Sequence, residues 1–263
     1  MCESSNFIAN NPFLQKLLTE QILNMQKGIL KISSKIALLL CVALSLNSYG
    51  QDIVKIRNQN FTSYFSKTQH LPVLVVYTLT PELFNCSKQK GENGIGLDTD
   101  PQLPEYSALK DDYNNTMFDH AQMMSPDENT CDKDAYRESY YYTNVMPMPK
   151  DLYKSLWNQL HMKEMTKAKK YKKIKVFAGT VGRNWVIGAN NTIIVPEYCW
   201  KVIYIPSTDE YLCYEFHNIE PYSPNDKLEL HKVDINRIES LAGVHFVNGV
   251  ISANYVTATP SSN

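Results

Sequence analysis

No apolar run in this chain approaches the roughly 20 residues that a membrane-spanning helix needs. The longest, Ile36–Leu46, covers eleven residues and is broken only by Ser45. An excess of one charge sign is also missing. Lys and Arg number 26 against 27 Asp and Glu, a net charge of −1. No global positive field therefore draws the chain to nucleic acid, and any polyanion contact must come from a local patch. Glycine (10) and proline (13) are too few for a collagen-like or low-complexity chain. No CxxC pair and no internal repeat occurs. What is present is a hydrophobic fraction of 43% beside a charged fraction of 20%, which supports a packed core and excludes wholesale disorder. The 17 tyrosines suit the half-buried face of a sheet.

The first fifty residues do not read as fold. Met25–Lys35 carries three lysines and no acid, the apolar run follows, and Ser48 and Gly50 place small residues three and one positions before Gln51. Basic, apolar and small-residue regions in that order predict a secretory signal peptide over 25–50. The alternative is a buried core helix, against which stands the abrupt polar segment that follows. A lipid-bearing Cys41 is disfavoured because Leu38, Leu39 and Leu40 precede it. Residues 1–24 make no sense ahead of a signal and read as a non-native upstream extension. The expected domain is 51–263, with its core at about 70–247, secreted or periplasmic and with no stable membrane association after cleavage. It keeps Cys86, Cys131, Cys199 and Cys213. An even number in an exported chain reads as two disulfides rather than a zinc site. Three pairings are open. Cys199–Cys213 would clip neighbouring strands, and Cys86–Cys131 would then tie two loops.

Residues 51–70 read as a polar segment wrapped on the domain. Leu71–Leu79 is a β-branched run that predicts a buried strand. Residues 85–115 read as loop. Strands are expected at 140–145 (ended by Pro147 and Pro149), 175–181, 192–196, 200–205 and 211–216. Leu152, Leu156 and Leu160 give residues 150–173 a helical spacing. A short helix at 234–241 ends before Gly243. The fold class is α+β: a single domain with a central, mostly antiparallel sheet and flanking helices.

Three segments stand in an informative order. Phe118-Asp119-His120-Ala121-Gln122 comes first, then Thr143-Asn144-Val145-Met146-Pro147-Met148, then Tyr153-Lys154-Ser155-Leu156-Trp157-Asn158-Gln159-Leu160-His161. Outside them lie Val176-Phe177-Ala178-Gly179, Val195-Pro196-Glu197-Tyr198-Cys199-Trp200-Lys201-Val202 and Ile238-Glu239-Ser240-Leu241-Ala242-Gly243. Together these resemble the DNA/RNA non-specific endonuclease family, whose site is a ββα-metal finger. The resemblance implies metal-assisted phosphodiester hydrolysis. A His would act as general base on water, and one divalent ion, Mg²⁺ by preference, would be held by an Asn. Nucleic acid, DNA or RNA without sequence preference, is the implied partner.

The chain departs from the family pattern at its centre. The family reads Asp-Arg-Gly-His where this chain has Asp119, His120, Ala121 and Gln122. Met148 replaces a Gln, Tyr153 occupies the position of the metal Asn, and His161 that of a Glu. Gln has no basic nitrogen, and a neutral phenol is a poor Mg²⁺ ligand. Either the site is silent, or its chemistry has moved. A moved site would use His120 as base, with Gln122 and His161 as phosphate or water contacts, Asn144 as a positioning donor and Asp127 or Glu128 as replacement oxygens. Packing is the expected role of Trp157. Lys163, Lys167, Lys169, Lys170, Lys172, Lys173 and Lys175 fall within thirteen residues, opposed only by Glu164. That strip reads as a phosphate-contacting surface or as a solvated helix face. Metal-assisted cutting, silent binding through the lysines, and a surface interaction protein on the same scaffold are the three expectations.

Overall fold

The computed structural model describes residues 52–87, 96–106, 108, 110–189, 192–219, 221–223 and 225–253. The signal-peptide and upstream-extension readings lie outside them. Among the described residues no helix is long and apolar enough to cross a membrane. In chain order the elements are β1 (Ile53–Arg57), β2 (Phe61–Ser66), β3 (Leu71–Leu79), β4 (Phe118–Gln122), α1 (Lys133–Glu138) and β5 (Val145–Pro149). Then come helix α2, described below, and β6 (Ile174–Val181), β7 (Trp185–Ile187), β8 (Ile193–Val195), β9 (Tyr198–Ile205), β10 (Glu210–His217) and β11 (Lys232–Val233). The chain closes with α3 (Ile235–Ala242), β12 (His245–Val247) and β13 (Val250–Ser252).

Seven strands form one antiparallel sheet in the order β1-β2-β3-β6-β9-β10-β11. Strand alternation sends successive side chains to opposite faces. On one face Val75, Tyr77, Val176, Ile203 and Tyr214 pack against Leu156, Trp157 and Leu160 of α2. On the other, Leu74, Phe177, Trp200 and Val202 pack against Ile238 of α3 and Phe246 of the β12–β13 hairpin. A sheet buried on both faces explains why its strands read as near-continuous apolar runs. Gly179 sits opposite Trp200 in register, and a Cβ there would lie 2.2 Å from the indole. The glycine makes room for the ring. Gly243 ends α3 in the left-handed region, at φ 63°.

Three readings need correction. Residues 52–70 are not a wrapped polar segment but the β1–β2 hairpin at the sheet edge. The segment 140–145 is not a strand. Tyr142–Asn144 is a 3₁₀ turn, and the strand starts at Val145 and contains both prolines. Pro147 is tolerated because its carbonyl points away from β4 and accepts the Asn218 Nδ2 hydrogen bond at 2.9 Å. Its absent N–H would point the same way, so β4 loses nothing. Finally, Cys199 and Cys213 form no disulfide; both are free and buried. Cys199 pairs with Phe216 and Cys213 with Val202. An offset of three residues puts the two thiols on opposite faces of the sheet, one in each core.

Cys86–Cys131 is a disulfide, across a separation of 45 residues. Cys131 N donates to Leu83 O at 3.0 Å and Thr130 Oγ1 to Cys86 O at 3.0 Å, so the bridge pins residues 125–131 to the end of β3. A Cys86→Ser/Cys131→Ser variant is expected to lose roughly 2–4 kcal/mol in urea unfolding. A loss under about 1 kcal/mol would show that the hydrogen bonds hold this segment without the bridge.

Candidate active site

Strands β4 and β5 pair antiparallel, from Phe118↔Pro149 to Gln122↔Val145, and lead directly into α2. This helix runs Lys150–Leu152, passes through a π-helical turn at Tyr153–Trp157 and continues as Asn158–Tyr171. Strand, strand and helix make the ββα finger. Trp157 anchors it: the ring is fully buried, and Nε1 donates to the Gln122 carbonyl at 2.9 Å.

Gln122 and Tyr153 meet. Tyr153 Oη donates to Gln122 Oε1 at 2.5 Å. Burial, then the carboxylates of Asp119 and Asp127, push the Tyr153 phenol up to about 12. It therefore stays protonated and serves as a donor, not as an anionic oxygen. His120 is not part of this contact. Its ring stacks on Tyr113 with centroids 4.0 Å apart, and its Nδ1 lies 3.7 Å from Asp119 Oδ1. Asn144 does not reach solvent. It is fully buried, its Nδ2 donates to Met124 O and Ser139 O at 2.8 and 2.9 Å, and its Oδ1 accepts from Met124 N at 3.0 Å. It staples the β4 exit to the turn before β5.

His161 enters a buried cluster beneath Gln122 rather than the cleft. Its Nδ1 lies 3.3 Å from Glu128 Oε2 and 3.8 Å from Glu164 Oε2. Glu128 is turned inward by a capping box, in which Ser125 N donates to Glu128 Oε2 at 2.8 Å. Lys201 Nζ stands 2.9 Å from Glu164 Oε1, 3.2 Å from His161 Nδ1 and 3.2 Å from Tyr77 Oη. Tyr77 Oη donates to Glu164 Oε2 at 2.6 Å. Burial, then Lys201, holds His161 down to about 3. Burial raises Glu164 to about 7 against the opposing pull of Lys201. The imidazole is neutral near pH 7.

Among the described residues two places offer candidate metal donors. At the motif position the donors are a neutral amide and a phenol already bonded to each other, which does not fit Mg²⁺. Glu128, His161 and Glu164 offer ligand atoms within 4.8 Å of one another, a set of the kind that binds a metal ion. Lys201 already stands among them, paired with Glu164 and fully buried. With that lysine in place the residues do not fit a divalent cation.

The lysines lie elsewhere. Lys169 is sixteen residues along α2 from Tyr153, about 24 Å at helical rise. Lys163 pairs with Glu229 and lies over the Tyr214 ring, Lys167 and Lys170 lie over Tyr171, and Lys169 lies over Phe84. The structure thus brings together Gln122 and Tyr153, and separately His161 and Glu128. It leaves His120 to one side and the lysines at the far end of the helix.

The family model of the DNA/RNA non-specific endonucleases matches residues 42–253. The chain belongs to that family. Human mitochondrial endonuclease G is 24% identical over 193 residues, 68% of this chain and 64% of that protein. Mitochondrial nuclease EXOG of Xenopus laevis is 24% identical over 165 residues, 56% of this chain and 46% of its own length. The chain thus spans less than two thirds of either relative. A solved EndoG/EndoGI complex shares the fold, with a TM-score of 0.67 at 19% identity over 74% of this chain and 86% of that one. Within the family fold, Glu164, Lys201 and Tyr77 are the buried groups that sequence reasoning did not assign. The one available signal was Glu164, a lone acid among lysines, three residues after His161 and so on the same helix face.

Proposed function

We propose that this chain is a non-cleaving member of the endonuclease family that binds nucleic acid. The observation that carries the reading is the Tyr153–Gln122 hydrogen bond. It ties together the two positions at which the family resemblance implies a base and a metal ligand. General base catalysis needs a group that takes a proton near the working pH, and a carboxamide does not. His161 is neutral but buried, at 4% exposure, and does not reach a substrate. No step is assigned to a metal. Polyanion capture would then rest on lysines, in a sequence-blind and salt-dependent way. Export through residues 25–50 is part of the proposal; the Cys86–Cys131 bridge supports it, because such bonds persist in oxidising compartments.

The test is plasmid nicking by the full chain with Mg²⁺, Mn²⁺, Zn²⁺ or EDTA, beside a DNA-binding titration over salt. The expected result is no nicking above the EDTA background, with binding that weakens steeply from 50 to 200 mM salt. Metal-dependent nicking by the unaltered chain would overturn the reading and make His120→Ala the next variant. A Gln122→His/Tyr153→Asn variant restores a base and an amide oxygen at the two positions and is expected to gain metal-dependent nicking.

A further inference from the structure

A groove with a volume of about 960 Å³ runs between α2 and a wall of Tyr222, Asp226, Lys227, Leu228 and Glu229, on the side of the helix turned away from the Gln122–Tyr153 contact. Its helical wall includes Lys154, Ser155, Asn158, Gln159 and Lys163. Leu160, His161 and Glu164 are buried on the inward side, whereas Asn158, Gln159 and Met162 are exposed. The π-helical turn forms part of the wall, since Lys154 and Ser155 belong to it. Such turns insert a residue into a helix and recur at functional sites.

The charge layout changes along this face. Inside the groove Lys154, Lys163 and Lys227 are balanced by Asp151, Asp226 and Glu229. Lys163 is already paired with Glu229. A phosphate gains little from a neutral wall. The amides of Asn158 and Gln159 beside carboxylates offer both donors and acceptors, the complement of an unpaired base edge. Beyond the groove the acids stop. Gln159, Lys163, Thr166 and Lys170 follow at spacings of four, three and four, so they stack in one row, with Lys167 beside it. From Gln159 to Lys170 the row spans about 16 Å.

We infer that this outer face of α2 is a single-stranded nucleic acid site: an unpaired base enters the groove at Asn158 and Gln159, and the backbone runs over Lys167 and Lys170. The inference rests on the nucleic-acid reading above and goes further, because it moves binding off the family's finger site. A duplex keeps its bases paired inside and cannot place one in a cleft beneath a loop, whereas a single strand can.

Fluorescence anisotropy with a labelled twelve-residue single strand, and with a duplex of equal length, tests it on the full chain. The single strand is expected to bind about tenfold tighter than the duplex. Asn158→Ala/Gln159→Ala should weaken the single strand about tenfold without changing the salt slope, because it removes hydrogen bonds and no phosphate contact. Lys167→Glu/Lys170→Glu should weaken binding and flatten the slope by about 1.4, for two phosphates. These four side chains are exposed or half-exposed, so the variants fold. Equal affinity for duplex, or an unaltered Asn158/Gln159 variant, overturns the groove assignment while leaving polyanion binding standing. No binding by the parent chain at 50 mM salt overturns both.

Discussion

Replacing Lys201 by Met is expected to lower the unfolding free energy by about 3–5 kcal/mol at pH 8. The side chain is fully buried and contacts Glu164, His161 and Tyr77 within 3.2 Å. Met has nearly the same length, so little volume is lost. What is lost is the cationic partner of Glu164, since His161 beside it is neutral. Glu164 would keep the Tyr77 hydrogen bond on Oε2 and lose its cationic partner on Oε1. A buried carboxylate left in that state costs far more than the intact pair contributes. Two further measurements separate this from a packing defect. At pH 5.5 the penalty should shrink, because Glu164 then escapes by taking a proton. Adding Glu164→Gln to Lys201→Met should recover more than half of the loss at pH 8, since the amide carries no charge. A single variant costing under about 1 kcal/mol, or a double variant that recovers nothing, would mean that Lys201 does not compensate Glu164.

That cluster also shows where reading the sequence stopped. Strands such as Leu71–Leu79 and Tyr198–Ile205 were legible because both their faces are buried, and apolar runs announce that directly. The finger was legible through motif order. The β1–β2 hairpin was not, because an edge hairpin of Ser, Thr, Asn and Lys between aromatics has the composition of a loop. The expectation that Cys199 and Cys213 take part in disulfides, for example by clipping neighbouring strands, fails on register. Only the hairpin register shows that the two residues sit three positions out of step. Lys201, Glu164 and Tyr77 come from three elements, with separations of 37 and 87 residues between the bonded pairs. No local pattern encodes such a meeting.

Gln122 and Tyr153 make sense as a pair. Gln122 is 7% exposed, and its Oε1 needs a donor once it sits there. Tyr153 supplies one, and the phenol in turn gains an acceptor. The contact is neutral and internally satisfied in a nearly closed site, and that is what supports the proposed non-cleaving reading.

Stability should respond to acid in a form set by His161 and Glu164, with opposite signs. His161 is depressed from its ordinary 6.5 to about 3. The unfolded chain therefore takes up a proton there first, and its contribution is complete above pH 6.5 and lost as pH falls towards 3. Glu164 is raised from 4.5 to about 7. The folded chain holds that proton longer, so its contribution is complete below pH 4.5 and lost as pH rises through 7. Between pH 4.5 and 6.5 the two slopes oppose each other, and the pair adds almost no pH dependence. Below 4.5, of the two, His161 alone still differs between the states, and it should lower stability by up to about 1.4 kcal/mol per pH unit. Burial raises Glu128 in the same direction, so Glu164→Gln removes one of two opposing slopes and the decline should begin at higher pH than in the parent. His161→Gln removes the acid arm, so stability relative to the parent should rise steadily below pH 6.5. Urea unfolding from pH 3 to 8 on the three chains measures this. Difference curves against the parent that stay flat for both variants would show that neither group carries a perturbed proton, and that the cluster holds together by packing and hydrogen bonds alone.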